Sequence, residues 1–253
     1  MSTRQNIMNQ RGDLSPFLIH LTRDGLFSTD PTQAKTQTVH AKNSLVKIIH
    51  DKKIVARSAM GYFNYKVAWP ERGRNLSSLV QRNWLYSACF TETPIDHIQV
   101  QFQTIPGRSC HFKNYGLAFF DETARKRKAN PVFYVDTKNQ AMRDGFDDMA
   151  SATNCIDYKG IMPFVEGFGS PWFPTFYGPS EIDFRWEREW RASADFDFLF
   201  PEVAFGICPE NEIPYFEALT SGEIKFVDVS NPVQLKLAKE KLATDIRFQK
   251  LKL

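Results

Sequence analysis

No apolar run in this 253-residue chain is longer than about five residues, as in Gly116-Leu117-Ala118-Phe119-Phe120. A membrane-spanning helix needs about 20 consecutive apolar residues, so none is expected. Short apolar runs bounded by polar, glycine or proline residues favour short strands and short helices. Strands are predicted at Phe17–Leu21, Ile54–Ala56, Tyr86–Thr91, Tyr115–Asp121, Pro131–Val135, Val203–Ile207 and Ile224–Val229. Pro131 would stand at the first position of its strand, where it removes no ladder bond. Leu45, Ile48 and Ile49 fall at helical spacing within Lys42–Asp51 and predict an amphipathic helix. Further helices are predicted from Leu76, Leu79 and Val80, over 138–152, and from Pro232 onward with Leu235, Leu242 and Ile246 on one side. Residues 22–40 and 66–75 read as loops, and Glu122–Lys128 as a solvated turn. The sum is one α+β domain over 1–253, with a frayed start at 1–15 and a basic strand–helix tail at 225–253.

Composition narrows the function classes. Net charge is only +3, which excludes a polycationic binder. The tail holds seven Lys or Arg and three acids, which a charged helix face explains about as well as a nucleic-acid contact. Cys89, Cys110, Cys155 and Cys208 form no CxxC pair, and the five histidines show no metal-ligand spacing, so reduced thiols and no zinc site are expected. The polar first fifteen residues lack the apolar stretch of a secretory signal, and the cytoplasm is the expected compartment. Phosphate-loop, Rossmann and nucleophile-elbow fingerprints are all missing. Phenylalanine is unusually abundant, 22 against 13 glycines, so the core or a binding surface is aromatic.

Four groups of residues have chemical potential. His20-Leu21-Thr22-Arg23 ends the first strand and offers donors to a ribose or a phosphate, although a lone histidine also serves structure. In Cys89-Phe90-Thr91-Glu92-Thr93-Pro94, hydroxyls flank a carboxylate at a strand end, while Thr93 and Pro94 also suit a helix N-cap. Phe184–Ala192 alternates, so a strand there places Glu187, Glu189 and Arg191 on one face. That pattern is either a surface ion-pair ladder or a carboxylate held to meet developing positive charge, with Arg191 or Arg185 as its cation. Gly160–Glu181 contains four Gly, four Pro and six aromatics, among them Trp172, Phe173 and Tyr177. A loop of that kind either covers the core or stacks on bases.

Taken in order, several segments resemble the AbiGi family of bacterial abortive-infection (phage-resistance) proteins. They are Leu18-Ile19-His20-Leu21-Thr22, Asn43-Ser44-Leu45-Val46-Lys47-Ile48-Ile49, the Cys89–Pro94 segment, Asn114–Phe119, Asn130–Val135 and Glu187–Arg191. The resemblance covers roughly residues 17–208. The same skeleton is similar to DarT-like DNA ADP-ribosyltransferases, with a first-strand His, an Asn-Leu-x-x-Ile helix, a middle F-x-x-x-P segment and a late Glu. The resemblance implies an ADP-ribosyltransferase-like split mixed β core with flanking helices and NAD, as co-substrate, in the cleft.

Carried over by position, His20 would hold the NAD ribose and the nicotinamide amide, and Glu189 would be the catalytic carboxylate. Phe90 to Thr93 would match the second-strand segment at the cleft, where the family commonly has Tyr or Ser, with Phe90 and Thr91 as its NAD-binding members. On chemical grounds, Thr22 or Arg23 would reach a diphosphate as a point or fork donor. The Gly160–Glu181 loop, with Trp172, Phe173 and Tyr177, would meet the acceptor. The expected activity is a phage-defence toxin that transfers ADP-ribose to RNA or single-stranded DNA and is restrained by an antitoxin protein, without a metal. A non-catalytic antitoxin or sensor and a plain NAD glycohydrolase are the alternatives.

Overall fold

The computed structural model describes residue 13 and residues 15–28, 36–58, 86–104, 110–136, 138–151, 160–169 and 183–248. Its elements are strands β1 (Phe17–Ser28) and β2 (Thr36–Val39), helix α1 (Ala41–Asp51), and strands β3 (Lys53–Ile54), β4 (Arg57–Ser58), β5 (Tyr86–Thr91) and β6 (Cys110–Phe120). Helix α2 (Asp121–Lys126), strands β7 (Asn130–Pro131) and β8 (Phe133–Asp136), helix α3 (Gln140–Ser151) and strands β9 (Val165–Phe168) and β10 (Glu189–Ala192) follow. The chain continues through β11 (Phe196–Asp197), β12 (Val203–Ile207), helix α4 (Ile213–Leu219), β13 (Phe226–Val227) and helix α5 (Pro232–Ala243).

A mostly antiparallel sheet in the order β13-β12-β6-β1-β5-β10-β7 forms the centre, with β2 added to β1 and β4 to β5. Among the described residues, only the β12–β13 pairing in it is parallel. Phe17, Leu18 and Ile19 on β1 are all buried, and so are all five residues of β12. Consecutive burial means that both faces of the sheet are covered, which is why these strands read as unbroken apolar runs instead of alternating ones. One face packs Leu18, Phe90, Leu117, Phe119 and Trp190 against Leu45 and Ile49 of α1 and against Phe196 and Phe198. The other packs Phe17, Ile19, Ala118 and Phe205 against Ile95, Ile98, Leu235, Leu242 and Phe248. The architecture is thus mixed α+β. Among the described residues, no helix is long and apolar enough to cross a membrane.

Strand β5, strand β12 and helix α1 lie where the sequence places them; other elements differ. Residues 22–28 and 36–39 are strands, not loop, because β1 continues past His20 and pairs with β2 from Gly25↔Val39 to Ser28↔Thr36. The expected turn at Glu122–Lys128 is largely helix α2, supported by i,i+4 ion pairs Asp121–Arg125 and Glu122–Lys126. Pro131–Val135 divides into β7, which pairs with β10, and β8, which pairs with β9. Thr93 does not cap a helix: Pro94 holds the N-cap position of the 3₁₀ helix Ile95–Phe102, and no side chain caps it. Within Gly160–Glu181, Met162–Phe164 is a 3₁₀ turn and Val165–Phe168 is β9. The 224–229 strand contracts to Phe226–Val227, and that at 54–56 shifts to Lys53–Ile54. Ile246 is exposed, away from the buried Leu235 and Leu242, because the helix has ended by then. The expectations for 66–80 and for residues 1–12 lie outside the described residues, whereas Ser15, at the end of the expected frayed start, is buried and its hydroxyl accepts the Phe17 N–H at 3.0 Å.

Candidate active site

Strands β1, β5 and β10 are neighbours, and their register sorts the side chains. Thr91 on β5 faces Ile19 on β1 and Glu189 on β10. Phe90 faces Trp190, and Cys89 faces Arg191. Cross-strand partners share a face and successive residues alternate. Cys89, Thr91, Glu189 and Arg191 therefore line one face, and His20, Phe90 and Trp190 the other. Strands β1 and β5 share only the Ile19↔Thr91 pairing among the described residues, and His20 Nδ1 lies 2.7 Å from the Cys89 carbonyl oxygen. The imidazole thus reaches the backbone of β5 beside its single point of contact with β1. On the other side of β1, Gly116 lets β6 pass close to the His20 backbone, since a Cβ there would run into the His20 carbonyl oxygen.

The strand expected at Phe184–Ala192 begins only at Glu189. Arg185–Glu187 is a 3₁₀ turn, and Arg188 follows in the left-handed region at φ 47°. This turn breaks the alternation, so Glu187 does not continue the Glu189–Arg191 face. Its carbonyl instead accepts the Thr91 hydroxyl at 2.6 Å. Arg185 pairs with Asp183 at 2.7 Å, and Arg191 is the cation that meets Glu189.

Arg191 is the hub. Its Nε donates to Glu189 Oε1 at 2.9 Å and an Nη to Glu189 Oε2 at 2.7 Å. The same Nη reaches Glu166 Oε2 at 2.6 Å, and the other donates to the Pro163 carbonyl at 2.8 Å. One buried cation thus serves two carboxylates, and the Glu189 side chain retains 14% exposure. Burial pushes the Glu166 carboxyl up to about 7 against the pull of Arg191. Burial opposes the charge on Arg191, but Glu189 and Glu166 hold its guanidinium protonated well above the ordinary value. Desolvation, then the charge of Glu189, pushes the Cys89 thiol well above its usual range, so it is not a thiolate nucleophile. Tyr134 Oη accepts the Glu189 N–H at 3.2 Å and donates to the Phe184 carbonyl at 3.3 Å, which pins the start of β10.

The structure brings Thr91 and Glu189 together and places His20 one residue away, on the opposite face. Phe90 is a core ring, edge-on to Phe119 and Phe196 at 6.0 and 4.9 Å. The Thr22 hydroxyl is buried and donates to the Ala41 carbonyl at 2.8 Å. Thr91 Oγ1 also accepts the Thr93 N–H at 3.0 Å and lies 2.7 Å from Thr93 Oγ1. Arg23 is partly exposed on β1. Trp172, Phe173 and Tyr177 lie outside the described residues. In the basic tail, Lys225 and Arg247 both pair with Asp245, and on α5 Lys239 pairs with Asp96 and Lys241 with Glu217.

Sequence reasoning missed Glu166, Cys89 and Tyr134 as members of the Glu189 cluster. Cys89 was findable from strand alternation, given the β5–β10 pairing. Glu166 and Glu181 are the only charged residues of the Gly160–Glu181 segment, and nothing local ties Glu166 to Arg191, 25 residues away. Among the described residues no group of His, Cys, Asp and Glu could hold a metal ion. Set against known protein families, curated proteins and solved structures, the chain matches none.

Proposed function

We propose that this protein is an NAD-dependent ADP-ribosyltransferase that modifies a nucleic acid, RNA or single-stranded DNA, in the cytoplasm, as the toxin of a phage-defence pair with an antitoxin protein. The observation that carries the reading is Glu189. Its carboxylate is fixed by two Arg191 donors and keeps 14% exposure, next to the strand that meets His20. Cleavage of the nicotinamide–ribose bond builds positive charge at the anomeric carbon, and nicotinamide departs neutral, so the step calls for a carboxylate more than for an acid. The C1′–N bond breaks and a bond from C1′ to an acceptor nitrogen or oxygen forms. The acceptor's proton passes to Glu189 and then to solvent. Arg191 is shared between Glu189 and Glu166, and its two donors to Glu189 orient that carboxylate.

The deciding experiment is incubation of the purified protein with labelled NAD and, separately, RNA, single-stranded DNA and a protein lysate. Label on nucleic acid is expected, and its loss in Glu189→Gln ties the activity to this carboxylate. Free ADP-ribose without labelled macromolecule makes the protein an NAD glycohydrolase. A second reading, a non-catalytic antitoxin or sensor, is favoured by the inward placement of Thr22, Phe90 and Thr91. NAD left intact under all conditions selects it.

A further inference from the structure

A separate recess of about 330 Å³ opens beside the turn that leads into β10. Pro94, Val100 and Trp186 give it an apolar wall, while His97, Arg188 and Asp13 are its polar members. Thr93 also lines it, and Thr93 bonds Thr91, the residue that faces Glu189 across the ladder. Arg188 immediately precedes Glu189 and stands in the left-handed region at φ 47° and ψ 50°, an uncommon place for a residue with a side chain. Two backbone bonds hold it there: its N–H donates to the Arg185 carbonyl at 3.1 Å, and its carbonyl accepts the Glu92 N–H at 3.0 Å. Its guanidinium is about one-third exposed and lies 3.7 Å from Glu92, longer than a direct hydrogen bond.

We propose that this recess binds one nucleotide of a single-stranded nucleic acid, with the base against Trp186 and the phosphate at Arg188 and His97. An indole beside an apolar floor suits the face of any base. A guanidinium and an imidazole at the same opening suit a phosphate. The Asp13 carboxylate is an acceptor for the amino group of a base. The volume takes one base with its sugar and phosphate and falls short of the two nucleotides of NAD, which favours the acceptor strand as occupant. This assignment rests on the transferase reading and gives it an acceptor subsite, one residue upstream of the proposed catalytic carboxylate.

The test is fluorescence anisotropy of dye-labelled ten-residue oligonucleotides, DNA and RNA, titrated with the full-length protein in the absence of NAD. Trp186→Ala is expected to weaken binding about five- to a hundred-fold, as loss of one stacked base implies, and Trp186→Phe to restore most of it. Arg188→Gln is expected to lower the slope of log affinity against log salt by about 0.7, one phosphate contact on a single strand. Melting curves accompany each variant. Should Trp186→Ala fail to fold, Trp186→Phe, expected to bind near the wild-type level, and the Arg188→Gln slope carry the test. Wild-type affinity in Trp186→Ala, or an unchanged salt slope in Arg188→Gln, overturns the proposal. So does displacement of the oligonucleotide by NAD with the same dependence on Trp186, which would make the recess an NAD site. Labelled-NAD transfer is scored apart. Trp186-dependent binding without NAD turnover refutes the enzyme and leaves the recess standing, and turnover with Trp186-independent binding does the reverse.

Discussion

The two faces of the β5–β10 ladder are built on opposite principles. On one, Phe90 and Trp190 sit among Phe119, Phe196 and Phe198, with ring centroids 4.9–6.0 Å apart for the pairs around Phe90 and Phe119. On the other, one residue along the same strands, Cys89, Thr91, Glu189 and Arg191 form a buried polar cluster with Glu166. The aromatic face is tolerant, because dispersion and burial are non-directional and summed over many contacts. The polar face depends on each partner, because a buried charge that loses its counterpart has no water to replace it.

The comparison breaks most sharply at Arg191. Arg191→Ala leaves two carboxylates facing each other without their cation and should cost about 3–5 kcal/mol of stability, read from urea unfolding. Adding Glu166→Gln and Glu189→Gln to that variant should recover much of the loss. If it does not, the arginine acts through packing and the contrast between the faces fails.

Glu189→Gln keeps shape and hydrogen bonding but removes the charge. It should lower ADP-ribose transfer by about 10²–10³, or roughly 3–4 kcal/mol of barrier, with a smaller change in melting temperature. Glu187→Gln, in the turn before the strand, should retain near-normal transfer. The opposite ranking of the two variants would put the reactive carboxylate in the turn.

The polar face should also be the pH-sensitive one. The folded-state value of Glu166 is raised to about 7 from 4.5, so the folded protein holds this proton more tightly than the unfolded chain does. Its contribution is thus fully present below about 4.5 and is lost as pH rises toward about 7. Wild type should lose stability relative to Glu166→Gln across that window, by on the order of 3 kcal/mol. A difference between the two proteins that stays flat with pH would place the Glu166 proton outside this window. A smaller effect is expected at Thr91→Val. The swap preserves shape but leaves the Glu187 carbonyl and the Thr93 N–H without this partner, which should cost about 1–3 kcal/mol. Phe90→Leu, on the other face, should cost less than this if packing there is as forgiving as the contrast implies.

How much of this was legible in the sequence follows the same division. Strands β5 and β12 and helix α1 announce themselves because apolar runs and helical spacing are local signals. Helix α2 was hidden because it is only six residues long and dense in charge, and its support comes from ion pairs that resemble a solvated turn. The Phe184–Ala192 alternation misled because a left-handed Arg188 leaves no trace in residue pattern. Of the site, Glu189 and Arg191 were visible as a face. Glu166 was not visible as their partner, because the contact joins two sheets and depends on tertiary geometry alone.

That junction has a consequence for how the molecule opens. The β8–β9 pair is a separate parallel ladder from Phe133↔Val165 to Asp136↔Phe168, outside the hydrogen-bonded path of the central sheet. Arg191 fastens it to β10 through Glu166 and the Pro163 carbonyl, and Tyr134 fastens it again through the Glu189 N–H. Slow amide exchange would therefore be shared between the two ladders, which meet through these side chains and the Val132 N–H to Glu189 carbonyl bond at 2.9 Å. The small ladder and the end of β10 would open as one cooperative unit, with the arginine as its latch.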